Sequence, residues 1–133
     1  MAAGLPAQIL NVQPGEIVLD LCAAPGGKSI QLADKKVGFL IANELNPVRR
    51  KALKANLERC GIRNTIVTGY DGRILGDLLS QQCDKVLIDA PCSGEGMQYK
   101  SDFKVYQRNE RQAKKLAHTQ YDLLLSGFKA LKI

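Results

Sequence analysis

The residues best suited to chemistry stand where apolar runs give way to turns. They are Cys22 in Cys22-Ala23-Ala24-Pro25-Gly26-Gly27-Lys28-Ser29, Glu44 after Asn43, Asp71 in Tyr70-Asp71-Gly72, and Asp89 with Cys92 in Asp89-Ala90-Pro91-Cys92. The small residues of the first stretch let backbone come close to a ligand, and a helix opening just beyond it offers free N–H groups to an anionic group. Glu44 follows that turn near the offset of about 20 residues at which a carboxylate accepts the two hydroxyls of an adenosine ribose. Asp71 either caps a turn, as Asp-Gly often does, or accepts the amino group of an adenine. Asp89 and Cys92 bring a carboxylate and a thiol to one rim. Cysteine is usually a small buried hydrophobe. A thiol directly after Pro91 and before Ser93-Gly94-Glu95-Gly96 is less suited to a core.

Each of these residues needs an element to hold it. Glu16–Cys22 (EIVLDLC) is a continuous apolar run between turn signals, the pattern of a strand buried on both faces. Val37–Asn43 (VGFLIAN), Thr65–Tyr70 (TIVTGY) and Lys85–Ala90 (KVLIDA) read as further strands. Helices are expected at about Leu5–Leu10, over Lys28–Asp34, from Asn46-Pro47 to Gly61, over Ile74–Leu79 and from about Glu110 to Leu131. Asn46 accepts an orphan backbone N–H and Pro47 suits the first helical position. Leu53, Leu57 and Cys60 recur at helical spacing, and Leu116, Leu123, Leu124 and Phe128 form the expected apolar side of the last helix. Alternation of this kind implies right-handed βαβ units and a parallel sheet covered on both faces. Such doubly wound sheets bind ligands at the carboxyl ends of their strands, where the residues above fall.

The 133 residues suffice for one domain, 1–133, at most. A hydrophobic content of 45% with 24% charged residues excludes a disordered chain. Lys and Arg number 19 against 13 Asp and Glu, and the resulting charge of +6 favours polyanionic partners, nucleic acid first. Arg49, Arg50, Lys51, Lys54, Arg59 and Arg63 cluster around the second βα helix, and Lys100, Lys104, Arg108, Arg111, Lys114 and Lys115 follow the fourth strand. Charge runs are usually solvated faces. The later cluster also contains Tyr99 and Tyr106, and cations with nearby aromatics suit phosphate contact and base stacking. The longest apolar stretches are too short to span a bilayer, and no Lys or Arg precedes the first apolar residues as in a secretory signal. Cys22, Cys60, Cys83 and Cys92 show no CxxC spacing and His118 is the single histidine, which argues against a zinc site; no metal is expected. The thiols are expected reduced, Cys60 and Cys83 as packing residues, with His118 a surface or satisfied side chain rather than a catalyst.

A second reading of the first turn stays open. Gly27, Lys28 and Ser29 fit the end of a phosphate-binding loop, G-x-x-x-x-G-K-[ST], and Val86–Asp89 would then pass for its acidic strand. Cys22 replaces the first glycine and Pro25 stiffens a loop that must wrap phosphates. That alternative would make the chain a nucleotide hydrolase. A non-catalytic RNA-binding module is a third reading.

LDLCAAPGGKS at 19–29, ANEL at 42–45, NLERCGIRN at 56–64, DGR at 71–73 and DAPCSGEGM at 89–97 together resemble the Nol/Nop/Sun (Sun/Fmu-type) RNA cytosine-C5 methyltransferases. The likeness runs through almost the whole chain from Pro14 on and looks nearest to bacterial members acting on ribosomal RNA, although transfer-RNA members share the core. It implies an α/β, Rossmann-like doubly wound parallel sheet, S-adenosyl-L-methionine as cofactor, RNA as partner and a cytoplasmic protein. Carried over residue by residue, it implies that Cys22, Ala23, Ala24, Pro25, Gly26, Gly27 and Lys28 wrap the methionine and ribose portion. Glu44 would hold the ribose hydroxyls and Asp71 the adenine side. Asp89 would sit by the reactive methyl and the target base, and Cys92 would help release the methylated RNA. Lys100, Lys104 and Arg108 would face RNA.

In that family a thiolate adds to cytosine C6 so that C5 can attack a methyl group, with the base first unstacked into the pocket. The attacking thiol belongs to a Thr-Cys motif on a later strand, and this sequence stops before it. The family's N-terminal RNA-binding segment has no counterpart either, and the run after Met97 departs from the family's pattern. A full domain of this kind has a seven-stranded sheet; the expectation here is a fragment with strand order three-two-one-four, incomplete on its C-terminal side, that keeps its cofactor pocket and transfers methyl groups negligibly on its own.

Overall fold

A computed structural model describes residues 5–92 and 110–133. Lys100, Lys104 and Arg108, Glu95 and the polar stretch at 93–109 lie outside the described residues. The elements run α1 (Leu5–Ile9), β1 (Ile17–Asp20), α2 (Gly27–Asp34), β2 (Phe39–Asn43), α3 (Pro47–Arg59), β3 (Thr65–Thr68), α4 (Gly72–Leu78), β4 (Lys85–Leu87) and α5 (Glu110–Ala130). The strands form one parallel sheet in the order β3-β2-β1-β4, as expected for βαβ units of one hand. Ile17 to Asp20 pair with Phe39 to Ala42, and Asp20 pairs with Leu87 on the other side. The carboxyl ends of the strands are thereby level.

Both faces of the sheet are covered, and the period of two along each strand decides what goes where. Val18, Leu40 and Leu87 pack with Ala7, Leu32, Ala33 and Val37 of the α1–α2 side. Leu19, Leu21 and Ile41 face the other way, onto Leu75, Cys83, Leu123 and Ala130. Leu53 and Leu57 of α3 meet Ala23, Ala24 and Ala42. Burial of each Leu, Ile or Val among these contributes about 1.5–3 kcal/mol. The outer strand β3 is only half-covered, and Ile66 is exposed.

Helix α3 starts as its sequence dictates: Asn46 Oδ1 accepts from the amides of Val48 and Arg49, and Pro47 opens the first turn. It ends at Gly61, whose φ of 68° falls in the left-handed region where a side chain is strained. Two expectations fail. Cys60 is exposed rather than packed, because the helix has already closed on Leu57 and the thiol sits in its C-cap. On α5 the inward face is Leu123, Ser126, Gly127 and Ala130, while Leu124 and Phe128 point outward. Small residues take that face because α4 and strand β4 come too close for large ones. A Cβ on Gly76 would lie 1.8 Å from the Ser126 carbonyl oxygen, and one on Gly127 would lie 2.5 Å from Ile88. Cys83 is buried and His118 exposed, as expected, and the four cysteines are free. None of the described helices is long and apolar enough to cross a membrane.

Candidate functional site

One buried amide organises the carboxyl end of the sheet. Asn43, at the end of β2, donates to the carbonyls of Leu21 (3.2 Å) and Tyr70 (3.0 Å) and accepts from the Thr68 hydroxyl (2.8 Å) and the Tyr70 amide (3.0 Å). An asparagine side chain offers two donors and two acceptor positions, so none is left over. The ends of β1, β2 and β3 are tied to one side chain, and the turns that leave them open on one side.

Between those turns lies a cleft of about 530 Å³, within the range of small-molecule sites. Cys22, Glu44, Asp71 and Asp89, which the sequence places on four separate strand ends, all line it. Of the turn that follows, Ala23 to Lys28 are not among its lining residues, and only Cys22 brings the turn to the cleft: Ala23, Ala24 and Gly26 are buried, Pro25 and Gly27 exposed. Gly26 takes a φ of 111° as the N-cap of α2, a conformation that favours glycine. Lys28 reaches from the first turn of α2 to the rim of the cleft, where its ammonium lies 2.5 Å from Asp89 Oδ2. Cys92 is exposed and, unlike Pro91, is not among the lining residues.

The carboxylates are held in different ways. Glu44 is buried, accepts from the Asn46 amide at 2.9 Å and lies 3.5 Å from the Arg49 guanidinium. Asp71 does what Asp-Gly suggests and more. It caps α4 by accepting from the Arg73 amide (2.9 Å), binds the Arg73 guanidinium (2.6 Å) and also lines the cleft. The hydrogen bonds from Arg73 hold its carboxyl below the usual range. Burial, then the carboxylates of Asp20, Glu44 and Asp89, push the Cys22 thiol up to about 12. A thiol of that kind stays protonated at neutral pH and is no nucleophile there.

Sequence reasoning passed over two contributors. Asp20 was counted within an apolar strand, yet it is a buried carboxyl directly beneath the turn. Its Oδ2 accepts from the Ser29 hydroxyl at 2.7 Å, and its Oδ1 is buried with no partner. Desolvation, opposed by the Ser29 bond and reinforced by Asp89, raises its carboxyl to about 6. An acid inside an otherwise apolar run was the available signal. Arg49, read as one of a basic cluster, donates to the Ala24 carbonyl at 3.1 Å and lines the cleft.

Chemically, this arrangement accepts hydrogen bonds from hydroxyl and amino groups through the Glu44, Asp71 and Asp89 carboxylates that line it. It is poorly suited to a triphosphate. The cation a phosphate loop would need, Lys28, is paired with Asp89, and three carboxylates wall the space beside it.

Comparisons with known proteins agree with this geometry. The profile of a family described as 16S rRNA methyltransferase RsmB/F matches residues 7–133. The chain is 44% identical over 128 residues to ribosomal RNA small subunit methyltransferase F of Vibrio parahaemolyticus, covering 95% of this chain and 27% of that protein. It is 45% identical over 125 residues to 25S rRNA (cytosine-C(5))-methyltransferase nop2 of Schizosaccharomyces pombe, covering 92% and 21% respectively. The chain thus spans about a quarter of the length of the curated relatives it matches. Among solved structures, NSun6 from Pyrococcus horikoshii with SFG superposes with a TM-score of 0.84 at 28% identity, over 98% of this chain and 33% of that one. A methyltransferase homolog from the same organism gives 0.76 at 34% identity, over 96% and 39%.

Proposed function

Since the chain belongs to the RsmB/F family of 16S rRNA methyltransferases, we propose that it is the S-adenosylmethionine-binding part of an RNA cytosine-C5 methyltransferase acting on ribosomal RNA. The carrying observation is that Cys22, Glu44, Asp71 and Asp89 converge on one cleft, which the Gly26 turn meets through Cys22 at its start. The residues present fit the cofactor: the buried Glu44 carboxylate for ribose hydroxyls and the Asp71 carboxylate for the adenine side, both lining the cleft. When bound, S-adenosylmethionine supplies a methyl group on a sulfonium centre.

In this reading the turn from Cys22 to Lys28 carries the methionine and ribose portion, with its small residues allowing close backbone approach. Glu44 accepts from the ribose hydroxyls, and its buried, backbone-bonded carboxylate is already oriented for that. Asp71 takes the adenine side. Asp89, more exposed than Glu44, faces the methyl group and the target base, and Cys92 just past it serves release of the methylated RNA. A net charge of +6 suits an RNA partner. The setting proposed for that substrate is the cytoplasm, and the 133-residue chain acts as one cofactor-binding domain.

The test is calorimetry of the chain with S-adenosylhomocysteine and, separately, Mg-ATP, with Glu44→Ala in parallel. Binding of the adenosyl ligand alone, weakened about tenfold or more by the substitution, is the expected result. Binding of Mg-ATP alone would overturn the proposal in favour of a phosphate-loop hydrolase.

A further inference from the structure

One face of α3 grips the cofactor turn at consecutive points. Arg49 donates to the Ala24 carbonyl at 3.1 Å, and Asn56 donates to the next carbonyl, that of Pro25, at 2.8 Å. Between them Leu53 abuts Gly26, its Cδ1 lying 3.0 Å from where a Cβ would stand. Residues 49, 53 and 56 recur at the spacing that puts side chains on one side of a helix. Both carbonyls thus take hydrogen bonds from side chains of a helix that follows the next strand. The same Arg49 guanidinium nitrogen lies 3.5 Å from the Glu44 carboxylate. That carboxylate is anchored on its other oxygen by the Asn46 amide, inside the N-cap of α3 itself.

We infer that Arg49 is a positioning residue, which spaces the Ala24 turn from the Glu44 carboxylate through one guanidinium while Asn56 holds the adjoining carbonyl. A planar guanidinium with several donors suits this double task, because it can serve a carbonyl and a carboxylate together. The inference rests on the cofactor reading, since turn and carboxylate are the two ends that a nucleoside with a methionine tail would bridge. It assigns Arg49 and Asn56 a role in affinity through geometry, not through the general positive charge of the helix. A lysine presents a single compact ammonium, which reaches one of the two acceptors at a time.

The experiment measures S-adenosylhomocysteine affinity of the chain carrying Arg49→Met, Arg49→Lys, Glu44→Gln and the Arg49→Met/Glu44→Gln pair, with hydrogen exchange of the turn amides in the ligand-free protein. Expected are a roughly tenfold loss for Arg49→Met, a partial recovery for Arg49→Lys, and a double substitution weaker than either single one by less than the product of their effects. Exchange at residues 23–30 should quicken in Arg49→Met and in Asn56→Ala. If Arg49→Met binds within about twofold of the parent while Glu44→Gln does not, the positioning role is overturned and the cofactor reading stands. If no variant differs from the parent, or the parent itself does not bind, the cofactor reading falls. Unchanged turn exchange in both Arg49→Met and Asn56→Ala overturns the clamp whatever the ligand does.

Discussion

The ammonium of Lys28 and a carboxylate oxygen of Asp89 meet at 2.5 Å although 61 residues separate them in the chain. The pair links the first turn of α2 to the segment leaving β4 at the rim of the cleft. Asp89 is more than half exposed, so solvent screens the attraction and its contribution to folding is about 0–1 kcal/mol. The pair's two charges also set part of the field that a ligand in the cleft would meet. Lys28→Met should leave the unfolding midpoint nearly unchanged while shifting preference toward cationic S-adenosylmethionine over neutral S-adenosylhomocysteine. Asp89→Asn should shift it the other way. Parallel titrations of both ligands decide this, and equal effects on the two would refute it.

Asp20 should make stability fall as pH rises. Its carboxyl goes from an ordinary 3.8 to about 6 in the fold. An acid raised by folding contributes fully below its unfolded value and loses that contribution as pH climbs through the folded one. A displacement of that size is worth roughly 3 kcal/mol. Asp20→Asn keeps an acceptor for Ser29 and removes the buried charge. Relative to the parent, the variant should gain stability between about pH 4 and pH 7, with little further change above. Urea unfolding across that range is the measurement; a constant difference between the two proteins would show that Asp20 does not titrate there.

The contact between α4 and α5 should be intolerant of a single methyl group. Ser126 donates to the Gly72 carbonyl at 2.5 Å and accepts from the Gly76 amide at 2.8 Å. Gly76→Ala would set its Cβ 1.8 Å from the Ser126 carbonyl, so the helices must part. A loss above about 3 kcal/mol is expected for Gly76→Ala, and about 1–3 kcal/mol for Ser126→Ala, which strands buried polar groups. Because Asp71 caps the same helix, cofactor affinity should fall with stability.

Gly26→Ala should damage the site more than the fold. A side chain at a φ of 111° costs roughly 1–3 kcal/mol, and the new Cβ would press on Leu53. Thermal unfolding should report that modest loss, and calorimetry a larger relative loss of S-adenosylhomocysteine affinity. Normal affinity in a destabilised variant would separate the turn from binding.

Much of this layout was readable beforehand, for identifiable reasons. Apolar runs such as VGFLIAN and the Asn46-Pro47 start are local signals, and they located β2 and α3 to within a few residues. The strands are shorter than their runs: β1 takes only Ile17–Asp20 of EIVLDLC, and past it the Leu21 and Ala23 amides still donate to the Leu87 and Asn43 carbonyls as the chain turns off to build the rim. Glu44, Asp71 and Asp89 were legible because strand ends of a parallel sheet converge. Asp20 was not, since one acid in a hydrophobic run reads as tolerated rather than as buried. Arg49 and Asn56 were hidden for another reason. Their partners are backbone carbonyls, which carry no residue-type signal. The inner face of α5 does not follow its apolar residues: Leu124 and Phe128 point outward, because closeness to α4 and β4 favours small residues at Ser126 and Gly127.

With every donor and acceptor of Asn43 already engaged, the rim at the ends of β1, β2 and β3 does not wait for a ligand to take shape. A guest entering such a ready-made socket loses mainly its own freedom and little of its host's. Encounter should therefore follow a single kinetic phase, with a rate that rises in simple proportion to ligand concentration.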